Sequence, residues 1–147
     1  MGRGLSDLQK AILKLSWDEI QEHQKARGAL DKDPVLMAEW LEYYVHGRGA
    51  PVPEKFAVLV KDNWTGLIDT NDIFISFYGW TPKTNRFGRK YIPKSEIGQK
   101  KYMAAYIAVR KSLNRLIARE LMGVSRGRYN GYALTIEGLD LMAKLGE

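Results

Sequence analysis

At 147 residues and 16.8 kDa the chain has the size of one ordinary domain, enough for one core and too little for two enzyme domains. Its 45% apolar and 27% charged residues suit a folded globular chain, and the absence of cysteine excludes a disulfide framework, a thiolate nucleophile and any zinc-thiolate site. The net charge of +6 is unevenly spread: Thr81 to Tyr132 carries thirteen Lys+Arg against two Asp+Glu, a local +11, while the rest carries ten against fifteen, a net −5. Such a segment creates a positive field that a polyanion would feel, although a plain solvated basic surface has the same composition.

Ser6 to about Arg27 is predicted as a helix. Ser6 stands at the N-cap and Gln9, three residues on, completes a capping box. Ile12, Leu15 and Ile20 supply an apolar stripe, and Gly28 is expected to end the helix in a left-handed turn. Asp33 before Pro34 signals a second start, giving a helix Pro34–Val45 that presents Met37, Trp40, Leu41 and Tyr44 together. Gly47 to Pro53 is a break and the best linker candidate. Phe56 to Val60 reads equally as a strand or a short helix. Asp62 to Gly66 is a turn, and Leu67-Ile68 a very short strand.

Thr70, Asn71 and Asp72 offer caps to a short helix, Ile73 to about Tyr78, closed by Gly79. Thr81 to Pro93 reads as a basic loop. Ser95 is expected to cap a long helix running to about Leu121, with Tyr102, Ala105, Val109, Leu113 and Leu116 in one stripe at helical spacing. Val124 to Thr135 is predicted as a hairpin with Asn130-Gly131 at its turn and Tyr132-Ala133-Leu134 as the return strand. Thr135 caps a last helix, Ile136 to Leu145.

The long helix has a second side. Opposite Val109 lie Lys100, Ala104, Ile107, Lys111, Asn114 and Arg115, with Lys101 and Arg110 on the flanks. Arg and Lys can donate to guanine, Asn can pair with adenine, and Ala or Ile can meet a thymine methyl. An amphipathic core helix with a wet face has the same appearance. The hairpin shifts the balance, because Arg126, Arg128, Tyr129 and Asn130 cluster at its tip, where guanidinium groups can clamp phosphates or enter a minor groove.

The run from Val109 to Met122 resembles the recognition helix and exit of winged helix-turn-helix proteins, in particular MarR-like regulators. Tyr132 to Leu139 is similar to their closing strand and Leu-Thr-x-x-Gly helix start. The resemblance covers about residues 69–145. It implies a mainly α chain with a small β-hairpin (α+β), a winged helix with extra N-terminal helices, in which 67–147 bind duplex DNA; residues 1–66 are then a helical extension, and its helices Ser6–Arg27 and Pro34–Val45 are the candidates for a dimer contact. By the same resemblance Ile73–Gly79 supports the motif and Leu67-Ile68 pairs with the wing. Three departures stand out. Glu120 replaces the usual glycine, which bears on the exit turn. Arg110-Lys111 replaces the usual Ser-Arg pair, so base contacts do not carry over. The connection Thr81–Lys94 is far longer than usual, and its Arg86, Arg89, Lys90 and Lys94, with Lys83, offer a second DNA-contacting arm or an insertion that orders on binding.

Other residues tempt less. His23 and His46 are single histidines on separate segments without a triad partner. Asp69 and Asp72 suit helix capping better than metal binding. The glycines at 2, 4, 47 and 49 form no phosphate-binding fingerprint. No apolar run approaches the ~20 residues that span a bilayer. Met1 to Leu8 lacks the basic-then-apolar order of a signal peptide, so the expected address is the cytosol. The expectation is therefore a homodimeric, sequence-specific DNA-binding transcriptional regulator without catalytic residue, cofactor or metal. The alternative is a winged-helix interaction or replication-initiation module that binds nucleic acid with little sequence preference. A nuclease would need carboxylates near the basic surface, and only Glu96 and Glu120 lie in that segment.

Overall fold

A computed structural model describes residues 4–47, 51–60, 67–86, 90–126 and 131–145. The chain is mainly helical with two small antiparallel hairpins, matching the expected class of mainly α with a little β. Helix α1 (Asp7–Lys32) starts on the expected capping box: Ser6 Oγ accepts from the Gln9 amide at 3.1 Å, and Gln9 Oε1 accepts from the Ser6 amide at 3.0 Å. It does not stop at Gly28. A mid-helix glycine costs about 1 kcal/mol, whereas burying Leu30 contributes about 1.5–3 kcal/mol, and Leu30 is buried against Phe56 and Leu59. The helix stops instead at Asp33, whose successor Pro34 disfavours further helical backbone. The Asp33 carboxylate then caps α2 (Pro34–His46), accepting from the Val35 and Leu36 amides at 3.1 Å each. One residue ends one helix and begins the next.

The buried stripe of α1 is also displaced from the expected one. It runs through Gln9, Ile12, Leu13, Ser16 and Ile20, with Leu15 only partly covered. The polar Gln9 and Ser16 disguise it in the sequence. Phe56 to Val60, equally a strand or a short helix by sequence, is helical: a 3-10 turn (Glu54–Phe56) leads into α3 (Ala57–Val60). Phe56 packs edge-on against Trp40 of α2, with centroids 5.3 Å apart, in a small cluster with Leu30 and Leu59. The expected turn at 62–66 lies outside the described residues.

The main core gathers Ile12 and Leu13 of α1 with Ile68, Ile73, Phe74, Trp80, Ile92, Val109, Leu113, Leu116 and Met122. Helix α4 (Thr70–Tyr78) begins on a reciprocal cap between Asp69 and Asp72 and ends at Gly79, whose φ of 70° is the left-handed turn expected there. Two further boundaries need correction. Thr81–Pro93 is not simply a loop, because β1 (Lys83–Thr84) pairs antiparallel with β2 (Lys90–Tyr91). Buried Ile92 and Pro93 anchor this hairpin to the core. The long helix is split: α5 (Lys94–Ile97) ends at Gly98, with φ 99°, and α6 runs from Gln99 to Ala118. Ser95 lies inside α5 and caps nothing. The predicted stripe on α6 holds, with Ala105, Val109, Leu113 and Leu116 buried and Tyr102 partly so.

Glu120 takes the left-handed conformation, φ 61°, that glycine would adopt in its place. The Leu121 amide donates to Leu116 O at 3.0 Å and the Glu120 amide to Ile117 O at 2.9 Å, the two bonds of a Schellman turn. The departure thus lies in the residue and leaves the turn geometry standing. The second hairpin follows, β3 (Met122–Ser125) against β4 (Gly131–Leu134), in register Met122 to Leu134 and Ser125 to Gly131. Ile68 adds one rung on the far side of β4, exchanging backbone bonds with Tyr132 at 2.9 and 2.8 Å. Gly131 permits this approach, since a Cβ there would stand 2.9 Å from Ile68 O. Helix α7 (Ile136–Leu145) starts on the expected cap: Thr135 Oγ1 accepts from the Gly138 amide at 3.1 Å and donates to Glu120 O.

Candidate nucleic-acid interface

Helix α6 contains five basic residues and no acidic one. With Val109 and Leu113 fixed in the core, helical geometry turns Lys100, Lys101, Ala104, Ile107, Lys111, Asn114 and Arg115 outward, and all seven are exposed. Among the described residues no carboxylate pairs with Lys100, Lys101, Lys111 or Arg115. Their charges are therefore not neutralised by any described carboxylate. Two cations fit the C-terminal half of the helix for a further reason, since Arg115 and Arg119 sit near the negative end of its dipole.

Arg110, on the flank, reaches across to the second hairpin. Its Nη1 donates to the Tyr132 hydroxyl at 2.5 Å. Between α6, the start of α4 and the hairpin lies an open cleft of about 310 Å³, lined by Tyr106, Arg110, Ser125, Arg126 and Tyr132, with Asp69 and Thr70 at one end. The Asp69 carboxylate there is engaged by the Asp72 amide. Tyr132, Tyr106 and Ser125 were not singled out from the sequence. Tyr106 was within reach of it, because it precedes Arg110 by one helical turn. Tyr132 was not, because its meeting with Arg110 depends on how the hairpin folds back. Arg126 is exposed at the end of β3, while Arg128, Tyr129 and Asn130 lie outside the described residues.

The β1–β2 hairpin brings a second basic element to the N-terminal end of α6. Lys83 is paired with Glu96 of α5, and this hydrogen bond and charge together raise the lysine pKa above its ordinary value. The Lys94 ammonium lies 5.1 Å from the centroid of the Tyr102 ring, and Tyr102 in turn stacks with Trp80. Burial raises the pKa of Tyr102 and Tyr78. Arg86, Lys90 and Lys94 are exposed, and Arg89 lies outside the described residues. Among the described residues, no three of His, Cys, Asp and Glu gather as a metal-binding set. No helix among them is long and apolar enough to cross a membrane. Comparisons with protein-family models, with curated proteins and with solved structures find no match to this chain.

Proposed function

We propose that residues 67–145 act as a winged helix-turn-helix that binds double-stranded DNA, with α6 in the major groove and the β3–β4 hairpin as the wing, and that the protein is a sequence-specific transcriptional regulator. The observation that carries the reading is the Arg110–Tyr132 contact, which joins the basic flank of an acid-free helix to the hairpin. Basic residues on both elements displace counterions and supply affinity, while Lys111 and Asn114 read base edges. The cleft between them follows the path of a phosphate backbone, with Arg110 and Arg126 as its cations. The β1–β2 hairpin contributes Arg86 and Lys90, and the start of α5 Lys94, as a second arm.

The reading includes a homodimer whose recognition helices meet half-sites one helical turn apart, about 34–36 Å. Its contact falls on α2, where Val35, Leu41, Tyr44 and Val45 are exposed, because the buried stripe of α1 is occupied by the core. Selection of bound duplex from a random pool, followed by salt titration on the winner, tests the proposal. Lys111→Ala is expected to alter the selected sequence, and Arg128→Ala to weaken binding across sequences and lower the salt slope by about 0.9. Binding without sequence preference would favour the interaction or replication module. No binding at low salt would overturn the interface altogether.

A further inference from the structure

Away from the basic face, α1 and α7 pack together and leave an apolar cleft of about 310 Å³. Lys10, Leu13, Lys14 and Trp17 reach it from one side of α1, as their helical spacing requires. Met142 and Leu145 reach it from α7. Leu13 is fully buried, whereas Leu145 remains exposed, so the cleft has an apolar floor and an open mouth. Its volume falls at the lower end of small-molecule sites. Water in such a lining finds few polar partners, so an apolar body can displace it favourably.

Two lysines stand at the mouth. Lys14 is held by Asp18 at 3.1 Å, but Lys10 has no ion-pair partner among the described residues. Lysine stems can lie along apolar surface while their ammonium groups stay in water. A neutral or cationic head group would leave Lys10 unanswered, and a carboxylate would answer it.

We propose that this cleft binds a small amphipathic anion, an apolar body bearing one carboxylate, with the body against Leu13, Trp17 and Met142 and the carboxylate at Lys10. The site is separate from the basic face of α6 and stands whether or not the protein binds DNA.

The test titrates the full chain with octanoate, octanol and octylammonium, following heat by calorimetry and tryptophan emission. Octanoate is expected to saturate one site with an emission shift, and to bind about three- to fivefold more tightly than octanol, the contribution of an exposed ion pair. Octylammonium should bind most weakly. Lys10→Gln should abolish the preference for octanoate over octanol and leave octanol binding unchanged. Trp17→Phe should abolish the emission shift while calorimetry still detects binding. The proposal is overturned by an absence of saturation, by equal affinity for the three heads, by an unchanged preference in Lys10→Gln, or by a persisting shift in Trp17→Phe. Both substitutions are at partly or fully exposed positions, and thermal melts of each variant without ligand would identify a general loss of fold.

Discussion

Replacing Glu120 by glycine is expected to stabilise the protein. An L-residue in the left-handed region costs about 1–2 kcal/mol, and Glu120 holds φ 61° there. Glycine removes that cost but widens the unfolded ensemble, an opposing effect of about 0.4–1 kcal/mol. The net gain is then about 0.5–1 kcal/mol, and at this chain length it corresponds to a melting-temperature rise of about 1–4 °C. The turn itself survives the change, since its two bonds, Leu121 to Leu116 and Glu120 to Ile117, are made by backbone. Thermal and urea unfolding followed by circular dichroism would measure the gain. Glu120→Gln separates the conformational effect from charge. It keeps the Cβ and removes only a carboxylate near the negative end of α6, worth about 0.3–1 kcal/mol for an exposed group at low ionic strength and screened by added salt, in which the two variants are compared. A loss of stability in Glu120→Gly, or an equal gain in Glu120→Gln, would refute the argument from backbone strain.

Gly138→Ala should do the opposite. Its Cβ would stand 2.1 Å from Leu121 O and 2.9 Å from Leu134 Cδ2, and because one obstacle is backbone the loss should be about 1–3 kcal/mol or more in urea unfolding. Asp69→Ala removes the side-chain acceptor at the start of α4 and is expected to cost about 1 kcal/mol in the same assay. Stability should also fall on the alkaline side. The Glu96 carboxylate beside Lys83, and burial of the Tyr78 and Tyr102 rings, hold all three groups above their ordinary pKa in the folded protein. Each raised value makes a contribution that is complete below the unfolded pKa and is lost as pH climbs through the folded one. Unfolding free energy should therefore decline above about pH 10, and spectrophotometric titration should find tyrosines ionising later than free tyrosine.

Much of the framework was legible because local chemistry and packing agree. The Ser6–Gln9 box, Asp33-Pro34, the Gly79 stop, the α6 stripe and the Thr135 cap are each set by a few neighbouring residues, and each stands where the sequence puts it. Errors arose where distant contacts decide. Gly28 fails to stop α1 because Leu30 finds Phe56 and Leu59, more than twenty residues away. The β1–β2 hairpin escaped notice because its strands are two residues each, too short for alternation to register. Gly98 interrupts the long helix with a left-handed φ that a run of good helix formers on its C-terminal side conceals. At the interface, the outward residues of α6 followed from periodicity alone. The cleft partners Tyr132 and Ser125 required the fold of the hairpin, which no local pattern supplies.

The single rung between Ile68 and Tyr132 bears on the order of events in folding. Joining residues about sixty positions apart costs roughly 4 kcal/mol of loop-closure entropy, while two backbone hydrogen bonds return only about 1–3 kcal/mol net. The rung cannot nucleate its own formation. It must wait until Ile68, almost completely shielded, has settled beside Met122 in the main core. This bridge at the edge of the hairpin is thus a late arrival, and substitutions confined to that rung would quicken unfolding while leaving the folding rate nearly untouched.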